Sequence, residues 1–265
     1  MLLSIPSPGD PFVFHLGGLQ PRWYGLLLTV AVAAAVWMTR RRFRACGLDP
    51  ELVFPVAVCA VVAGFAGARI EHIVTDWSPY QQIPANMFWI WRGGLGIYGG
   101  ILGGMLGTAL GCRIVRLPFW TVADCAAPGL VLAQAIGRVG NYTNQELYGH
   151  PSSLPWAIRI AHPLPPYVPG EAFQPTFLYE ALWDLAVLGV LVWFVRRTAN
   201  RVRPGTVFAV YAGLYSLGRL WIETIRIDPT DHVLGQRVDI WVAALVCVLA
   251  AAAFTVLWGR RPAAV

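Results

Sequence analysis

Residues 23–44 read WYGLLLTVAVAAAVWMTRRRFR, an apolar run that ends in a cluster of arginines. A run of about 17–25 apolar residues is long enough to cross a bilayer as a helix. Loops on the cytoplasmic side of a membrane are enriched in Lys and Arg close to the ends of the spans. This stretch therefore predicts a first transmembrane helix whose carboxyl end is inside, with the amino terminus of the chain outside.

The rest of the chain repeats this pattern. Further apolar stretches of similar length lie at about 52–73, 95–111, 119–136, 176–195, 206–224 and 238–258. Together they predict an all-α, polytopic membrane protein with about seven transmembrane helices. The expected inner segments also contain Arg, and the odd number of spans leaves the carboxyl terminus in the cytoplasm; these segments are 112–118, 196–205 and 259–265.

The composition agrees with a membrane protein. Only 13% of the residues are charged, about half of what an average soluble domain carries. The net charge of +6 comes mainly from Arg clusters beside apolar runs, so it does not indicate a nucleic-acid partner. The five cysteines form no CxxC motif, and we expect neither a metal site nor a cofactor. We expect a single domain over 1–265, with a small irregular outer head at about 138–175, where Pro and polar residues are frequent.

The position of the arginines gives the first functional signal. The chain has no Lys, and part of its Arg set lies at the predicted outer ends of the spans, against the positive-inside pattern. Ionisable residues at such positions usually have a function, and a planar guanidinium matches the oxygens of a phosphate. These outer arginines are Arg22, Arg69, Arg92, Arg138, Arg159, Arg219, Arg226 and Arg237.

The densest polar cluster is GRVGNYTNQELYG, residues 137–149, where the fourth span meets the outer surface. Arg138, Asn141, Asn144 and Glu146 cannot lie against lipid without polar partners. Arg offers a bidentate fork for a phosphate, and Asn adds neutral donors. A polar helix terminus with a local Arg–Glu pair is the alternative interpretation.

A second cluster lies at the outer end of the sixth span. Tyr215, Arg219, Glu223 and Arg226 recur at i, i+4, i+8 and i+11, which predicts one polar stripe on a helix. Within a span such a stripe must face the bundle interior or an aqueous cavity. An exposed stripe would instead be a salt-bridge ladder of little consequence. Asp228 follows closely and is expected to pair with Arg226.

Two smaller groups lie at the outer ends of the first and second spans. Residues 22–25, RWYG, are by themselves typical of an interfacial anchor. Arg69 and His72 share a helix face, with Glu71 between them. Because groups from four spans lie on the outer side, we predict one outward-facing cavity with excess positive charge, whose ligand is an anionic lipid headgroup.

In their order along the chain, these segments resemble the prolipoprotein diacylglyceryl transferase family. The resemblance covers nearly the whole chain and is carried by RWYG, GARI (67–70), GGLGIYGG (93–100), GRVGNYTNQELYG (137–149), QPTFLYEA (174–181) and YSLGRLWIETIR (215–226). It implies a transferase of the bacterial cytoplasmic membrane with its active site towards the outer side. Such enzymes transfer the sn-1,2-diacylglyceryl group of phosphatidylglycerol to the lipobox cysteine thiol of a preprolipoprotein, in the first step of lipoprotein maturation. A thioether forms and glycerol phosphate leaves.

The resemblance also implies roles for individual residues. The residues assigned to catalysis are Arg138, Arg219, Glu223 and Tyr98. Those assigned to phosphatidylglycerol binding are Arg138, Tyr24, Asn141, Asn144, Glu146, Gly149, Tyr215 and Arg226. Arg138 and Arg219 are expected to stabilise the departing phosphate, and Glu223 to hold Arg219. The expected partners are phosphatidylglycerol, the preprolipoprotein signal peptide and membrane lipid, and the chain is expected to be a monomer.

Two positions depart from the family pattern. Tyr98 stands where the family often has a His that has been proposed as a base, and Gln174 stands where a motif often begins with His. A neutral Tyr with a pKa near about 10 is a poor base at neutral pH, so the general base stays open. A transporter for an anionic solute and a lipid-binding scaffold without catalysis are the alternatives. The transporter is disfavoured because the charges lie towards the outer ends and no internal repeat is visible.

Overall fold

The computed structural model describes residues 5–15, 21–89, 93–198 and 201–258. Within them the α-helices are α1 Trp23–Ala45, α2 Val53–Thr75, α3 Ser78–Gln82, α4 Ile97–Ile114, α5 Phe119–Asn144, α6 Thr176–Thr198, α7 Thr206–Ile222 and α8 Val238–Trp258. Two antiparallel pairs of short strands join β1 Ile158–Arg159 to β2 Ala172–Phe173, and β3 His232–Val233 to β4 Gln236–Arg237. Short 3-10 helices occupy Pro50–Leu52 and Pro84–Phe88. Arg92 and the predicted inner segment 259–265 lie outside the described residues.

In the part of the chain that the structure describes, six helices are long and apolar enough to cross a membrane, namely α1, α2, α4, α5, α6 and α8. The remaining predicted span, α7, is apolar but has only 17 residues. At 1.5 Å per residue it is about 25 Å long, slightly less than the roughly 30 Å of a hydrocarbon core. The prediction of a helical, polytopic membrane protein is therefore confirmed. The described residues contain six helices of spanning length and one shorter apolar helix.

The chain forms two compact units: the first contains Met1–Met38 and Asp124–Val265, and the second contains Thr39–Ala123. In the first unit, α7 packs against α6 and α8. The Asp124 carboxylate of α5 accepts hydrogen bonds from the backbone N–H groups of Gly205 and Phe208, both at 2.8 Å. Asp124 therefore caps the amino end of α7. Gly205, the residue at the cap position, has no side chain that could accept these hydrogen bonds. A carboxylate at this end also complements the helix dipole.

In the second unit, α2 and the glycine-rich α4 approach each other closely. A Cβ atom added to Gly67 would collide with the carbonyl oxygen of Gly99, and one added to Gly107 would collide with that of Cys59. Small residues allow membrane helices to pack at this short distance. The glycines at these positions therefore permit the close packing of α2 against α4.

Arg69 hydrogen-bonds to the backbone of the segment that connects α2 to α4. Its Nε donates to the carbonyl of Met87 at 3.0 Å, and its Nη1 donates to the carbonyls of Gly93 and Gly94 at 2.7 Å each. Its Nη2 donates to the carbonyl of Asn86. Since these bonds use four of the five N–H donors of a guanidinium, the side chain is an anchor for the backbone. The expectation that Arg69 contributes to an anion site is wrong.

The segment between α5 and α6 has a small core of its own. Helix α5 continues to Asn144, whereas the sequence analysis ended this span at Ile136. The chain after it folds over the β1–β2 pair, and Ile5 of the amino-terminal segment forms a parallel bridge with Ile158. The buried side chains at its centre are Tyr148, Ile158, Ile160, Phe173 and Phe177.

Candidate active site

Glu180 of α6 lies at the centre of the candidate site and is only 3% exposed. Its Oε2 is 2.6 Å from Arg138 Nε, an ion pair without hydrogen-bond alignment. Its Oε1 is 3.2 Å from Arg219 Nη1 and 3.6 Å from Arg226 Nη1. One carboxylate thus holds together arginines from α5, from α7 and from the segment after α7. A buried charge is tolerated only with such partners.

Glu223 forms a second centre directly after α7 and is fully buried. It forms an i, i+4 ion pair with Arg219. Its Oε1 accepts from Arg226 Nη1 at 2.9 Å, and its Oε2 accepts from Arg237 Nε at 2.9 Å. The predicted pairing of Glu223 with Arg219 is confirmed. The predicted helical stripe is not continuous, because α7 ends at Ile222 and Arg226 lies beyond it.

Asp228 completes this side of the cluster. Its two carboxylate oxygens accept from Nε and Nη2 of Arg226 at 2.7 and 2.8 Å, as the sequence analysis expected. Arg237 adds a bond from Nη2 to Oδ2 at 3.1 Å. Burial raises the pKa of Asp228, but the hydrogen bonds and charges of the two arginines outweigh burial and hold this pKa below its usual value. Asp228 therefore stays ionised at neutral pH.

The cluster is balanced in charge. Its arginines are Arg138, Arg219, Arg226 and Arg237, and the carboxylates paired with them are those of Glu180, Glu223, Asp228 and Asp239. The expectation of excess positive charge is wrong for this cluster, because the sequence analysis did not include Glu180 and Asp239 among the residues near the arginines.

A second branch leads from Arg138 towards the head. Arg138 Nη1 donates to Asn141 Oδ1 at 3.2 Å, and Asn141 Nδ2 donates to Glu146 Oε1 at 2.8 Å. Asn144 Nδ2 reaches the same oxygen of Glu146 at 3.3 Å. Because α5 continues through Asn144, these donors lie on successive turns of one helix. Gln145 has a φ of 54° in the left-handed region, where the chain leaves α5 and turns Glu146 back towards Asn141.

Two tyrosines border this branch. Tyr215 of α7 interacts with Arg138, and its ring stacks on that of Tyr211 at a centroid distance of 6.1 Å. Tyr24 of α1 lies against the backbone of Gly140, where an added Cβ would come within 2.7 Å of the tyrosine ring. The Tyr24 side chain is 37% exposed. It is therefore accessible beside the polar groups of α5.

Gly149 contributes to the site through its backbone. It forms an antiparallel bridge with Arg226, and its N–H donates to the carbonyl of Gln174 at 2.8 Å. An added Cβ would come within 2.8 Å of Ile225 and 2.9 Å of Thr176. The glycine therefore lets the head lie directly against the segment that carries Arg226. Its assignment to phosphatidylglycerol binding stays a prediction.

Tyr98 is the one predicted site residue that belongs to the second compact unit. It lies in the first turn of α4 and is 41% exposed. The next residue, Gly99, donates its N–H to Glu71 Oε2 at 2.7 Å, which joins this end of α4 to α2. The assignment of Tyr98 to catalysis stays a prediction from the resemblance.

Glu180 and Asp184 of α6 are not among the predicted site residues, and Arg237 has no predicted role in the site. The two acidic residues are four positions apart within an apolar stretch, and ionisable groups inside a span usually have a function. That signal was available in the sequence. Asp184 is 2% exposed and its Oδ2 has no hydrogen-bond partner in the part of the chain that the structure describes. In the same part, no group of three or more His, Cys, Asp or Glu side chains could hold a metal ion.

Comparison with known proteins identifies the family. The model described as prolipoprotein diacylglyceryl transferase matches residues 11–258. Three relatives carry the name phosphatidylglycerol--prolipoprotein diacylglyceryl transferase. The relative from Frankia alni is 48% identical over 264 residues, which cover 98% of this chain and 68% of the relative. The relative from Frankia casuarinae is 46% identical over 261 residues, covering 97% of this chain and 63% of the relative.

The third relative, from Corynebacterium efficiens, is 41% identical over 277 residues, which cover 99% of this chain and 85% of the relative. The described relatives are thus longer than this chain, while the similarity includes nearly all of it. The family model and the three relatives, each more than 40% identical over the matched length, all indicate the same family. The chain belongs to the prolipoprotein diacylglyceryl transferase family.

Proposed function

We propose that this protein transfers the sn-1,2-diacylglyceryl group of phosphatidylglycerol to the lipobox cysteine thiol of a preprolipoprotein. The family and the printed names of the relatives support the reaction class and both substrates. The observation that carries the proposal is the buried carboxylate of Glu180, which binds Arg138 and Arg219 at the same time. Two guanidinium groups held by one carboxylate are well suited to bind a phosphate between them.

Arg138 and Arg219 keep N–H donors for the phosphate of the proposed substrate, although the cluster as a whole is balanced in charge. The phosphodiester of phosphatidylglycerol carries one negative charge. Each guanidinium has five N–H donors, and the contacts to carboxylates and to Asn141 leave some of them for phosphate oxygens. Donors that are already oriented in a site of low dielectric stabilise the second negative charge that develops on the leaving phosphate.

The proposed reaction is a nucleophilic displacement at carbon. The thiolate sulfur attacks the sn-3 carbon of the diacylglyceryl group, so an S–C bond forms and the C–O bond to phosphorus breaks at the carbon side. The electron pair of that bond goes to the oxygen, which leaves as part of glycerol phosphate. The thiol proton is lost to solvent before the attack. A free Cys has a few per cent thiolate at about pH 7, so a strong base is not required.

The other predicted residues orient the substrate in this proposal. Tyr24 and Asn141 donate hydrogen bonds to the headgroup, and Glu223 holds the guanidinium of Arg219. Tyr98 acts as a hydrogen-bond donor, since a neutral phenol is a poor base at neutral pH. The remaining residues proposed to line the phosphatidylglycerol site are Asn144, Glu146, Gly149, Tyr215 and Arg226.

We also propose that α7 completes seven spans, with the amino terminus outside and the carboxyl terminus in the cytoplasm. The last turns of α1, α4 and α6 all contain Arg, which supports one cytoplasmic face. The site then faces the outer side of a bacterial cytoplasmic membrane. The proposal treats residues 1–265 as one domain of a monomeric enzyme, with its outer head at about 138–175, since the matched region 11–258 includes both compact units.

The test is a transfer assay with purified protein, phosphatidylglycerol micelles and a synthetic lipobox peptide, with the thioether product measured by mass spectrometry. We expect turnover in the wild type and a loss of about 100- to 1000-fold in Arg138→Ala and in Arg219→Ala. Arg159→Ala is the matched control, because this outer arginine is exposed on β1 and should leave turnover unchanged. A folded wild type without turnover would favour a lipid-binding scaffold, and full activity in both variants would refute the arginine site.

A further inference from the structure

A cavity of about 510 Å³ lies beside the arginine cluster, on the side of Arg237. We call its buried lining residues Glu223 and Arg226 the floor of the cavity. The rim consists of three exposed lining residues: His150 of the head, and His232 and Gln236 of the β3–β4 hairpin. A cavity of this size is within the range of small-ligand sites. All of its lining residues follow α7, precede α8 or belong to the head, except Ile240 in the first turn of α8. It is therefore outside the spans for almost all of its surface.

The two arginines that line this cavity, Arg226 and Arg237, are paired with carboxylates. All three nitrogens of Arg237 are already bonded, to Glu223, to the Asp228 carbonyl and to the Asp228 carboxylate. The three nitrogens of Arg226 are bonded to the same two acidic residues. An anion in this cavity would face the carboxylates of Glu223 and Asp228, which repel it. The floor therefore favours an uncharged ligand.

The rim presents polar side chains that have no partner. Within the described ranges, the side chains of His150, His232 and Gln236 form no hydrogen bond, although all three line the cavity. They come from two elements, because His150 belongs to the head while His232 and Gln236 belong to the hairpin. An amide and a neutral imidazole each offer both a donor and an acceptor. These are the groups that a peptide main chain requires.

We propose that this cavity binds the uncharged main chain of the prolipoprotein beside its acceptor cysteine. The inference rests on the proposed transferase function and adds where the second substrate binds. The cavity shares Glu223 and Arg226 with the arginine cluster, so a peptide held here lies next to the proposed phosphate site. It is also outside the spans, where the polar part of an exported peptide lies. The lipid headgroup binds on the Arg138 side, and the peptide binds on the Arg237 side.

The experiment measures two Michaelis constants separately. The double variant His232→Ala/Gln236→Ala removes two polar side chains of the rim, and His150→Ala removes the third, which lies in the head. Gln236→Trp places a larger side chain in the cavity. Val233→Ala is the matched control, since this residue lies between the two hairpin positions but does not line the cavity. For the double variant we expect the KM for a lipobox peptide to rise about tenfold, while kcat and the KM for phosphatidylglycerol stay within twofold. Val233→Ala should change none of these values.

A rise in the KM for phosphatidylglycerol instead would assign the cavity to the glycerol of the headgroup and overturn the proposal. Unchanged constants in the double variant and in Gln236→Trp would overturn it as well. Equilibrium binding of a fluorescent lipobox peptide with Ser in place of Cys, measured in phosphatidylglycerol nanodiscs, separates this inference from the transferase function. Binding that weakens in the rim variants without wild-type turnover would support the peptide site and refute the transferase. Turnover in the wild type, with peptide binding unchanged in the rim variants, would support the transferase and refute the peptide site.

Discussion

Replacing Glu180 with Gln removes the charge at the centre of the arginine cluster and keeps the size of the side chain. The carboxylate has three arginines within 2.6–3.6 Å and is 3% exposed. Removing one partner of a buried ion pair leaves uncompensated charge and costs about 3–5 kcal/mol. For a protein of this length, a loss of that size lowers Tm by roughly 10 °C. We expect Glu180→Gln to show this shift in detergent.

The same change should loosen Arg138 more than Arg219. Arg138 loses its one ion pair among the described residues and keeps its hydrogen bond to Asn141, whereas Arg219 keeps its ion pair with Glu223. If the two guanidinium groups bind the departing phosphate, a misplaced Arg138 weakens that stabilisation. Loss of one oriented donor to a developing oxyanion costs about 100-fold in turnover. We therefore expect kcat/KM for phosphatidylglycerol to fall about 100-fold in the peptide transfer assay.

The ion pair of Arg40 with Glu51 provides the matched control. The Glu51 side chain is 61% exposed, and exposed pairs contribute at most about 1 kcal/mol. Glu51→Gln should therefore leave both Tm and turnover nearly unchanged. A Glu180→Gln protein with lowered Tm but normal kcat/KM would show that Glu180 only stabilises the fold. An unchanged Tm would refute the assignment of a buried ion-pair centre.

Other predictions follow from individual contacts. Arg138→Lys keeps the charge but loses the fork, so turnover should fall at least tenfold, and near-normal turnover would exclude a bidentate role. Gly67→Ala should lower Tm because its Cβ would collide with the Gly99 carbonyl oxygen, whereas Gly189→Ala, in open space on α6, should not. Asp228 has a lowered pKa in the folded protein, so its stabilising contribution is complete above the unfolded value of 3.8 and is lost as the pH falls through the folded value. The difference in Tm between wild type and Asp228→Asn should therefore be constant from about pH 7 to pH 5 and shrink below about pH 4.

That the chain has several long apolar helices was predictable from the sequence because a bilayer imposes a length on every apolar run. Within the described residues, six of the seven predicted spans reach that length. The ends of the helices were less accessible. Hydrophobicity falls at Arg138, but α5 continues to Asn144 because polar residues end the apolar part of a helix without ending its hydrogen bonding. Conversely, α7 ends at Ile222, and the predicted stripe loses its register before Arg226. Hydrophobic length therefore predicted the spans but not the polar turns that carry the site.

Whether a pairing within the site was predictable depended on how far apart its two residues lie along the chain. Those between Arg219 and Glu223 and between Arg226 and Asp228 were predicted, since short spacing limits the possible geometry. The contact of Arg138 with Glu180 was not predicted, because it depends on which face of α6 turns towards α5. Arg69 shows the same limit: its partners are backbone carbonyls, which no side-chain pattern indicates. Tertiary packing therefore decides which of the outer arginines are available to a ligand.

The balanced charge of the cluster changes how a phosphate would be recognised. Without carboxylates, four arginines held together at a membrane edge would repel one another and be costly to bury. Glu180 and Glu223 remove that cost, yet each uses only part of the donor set of its arginines. Recognition then depends on the direction of the remaining N–H groups more than on net charge. Lysine has a single ammonium and cannot hold a carboxylate and a phosphate in fixed directions as a guanidinium can, which is a physical reason for arginine at Arg138 and Arg219.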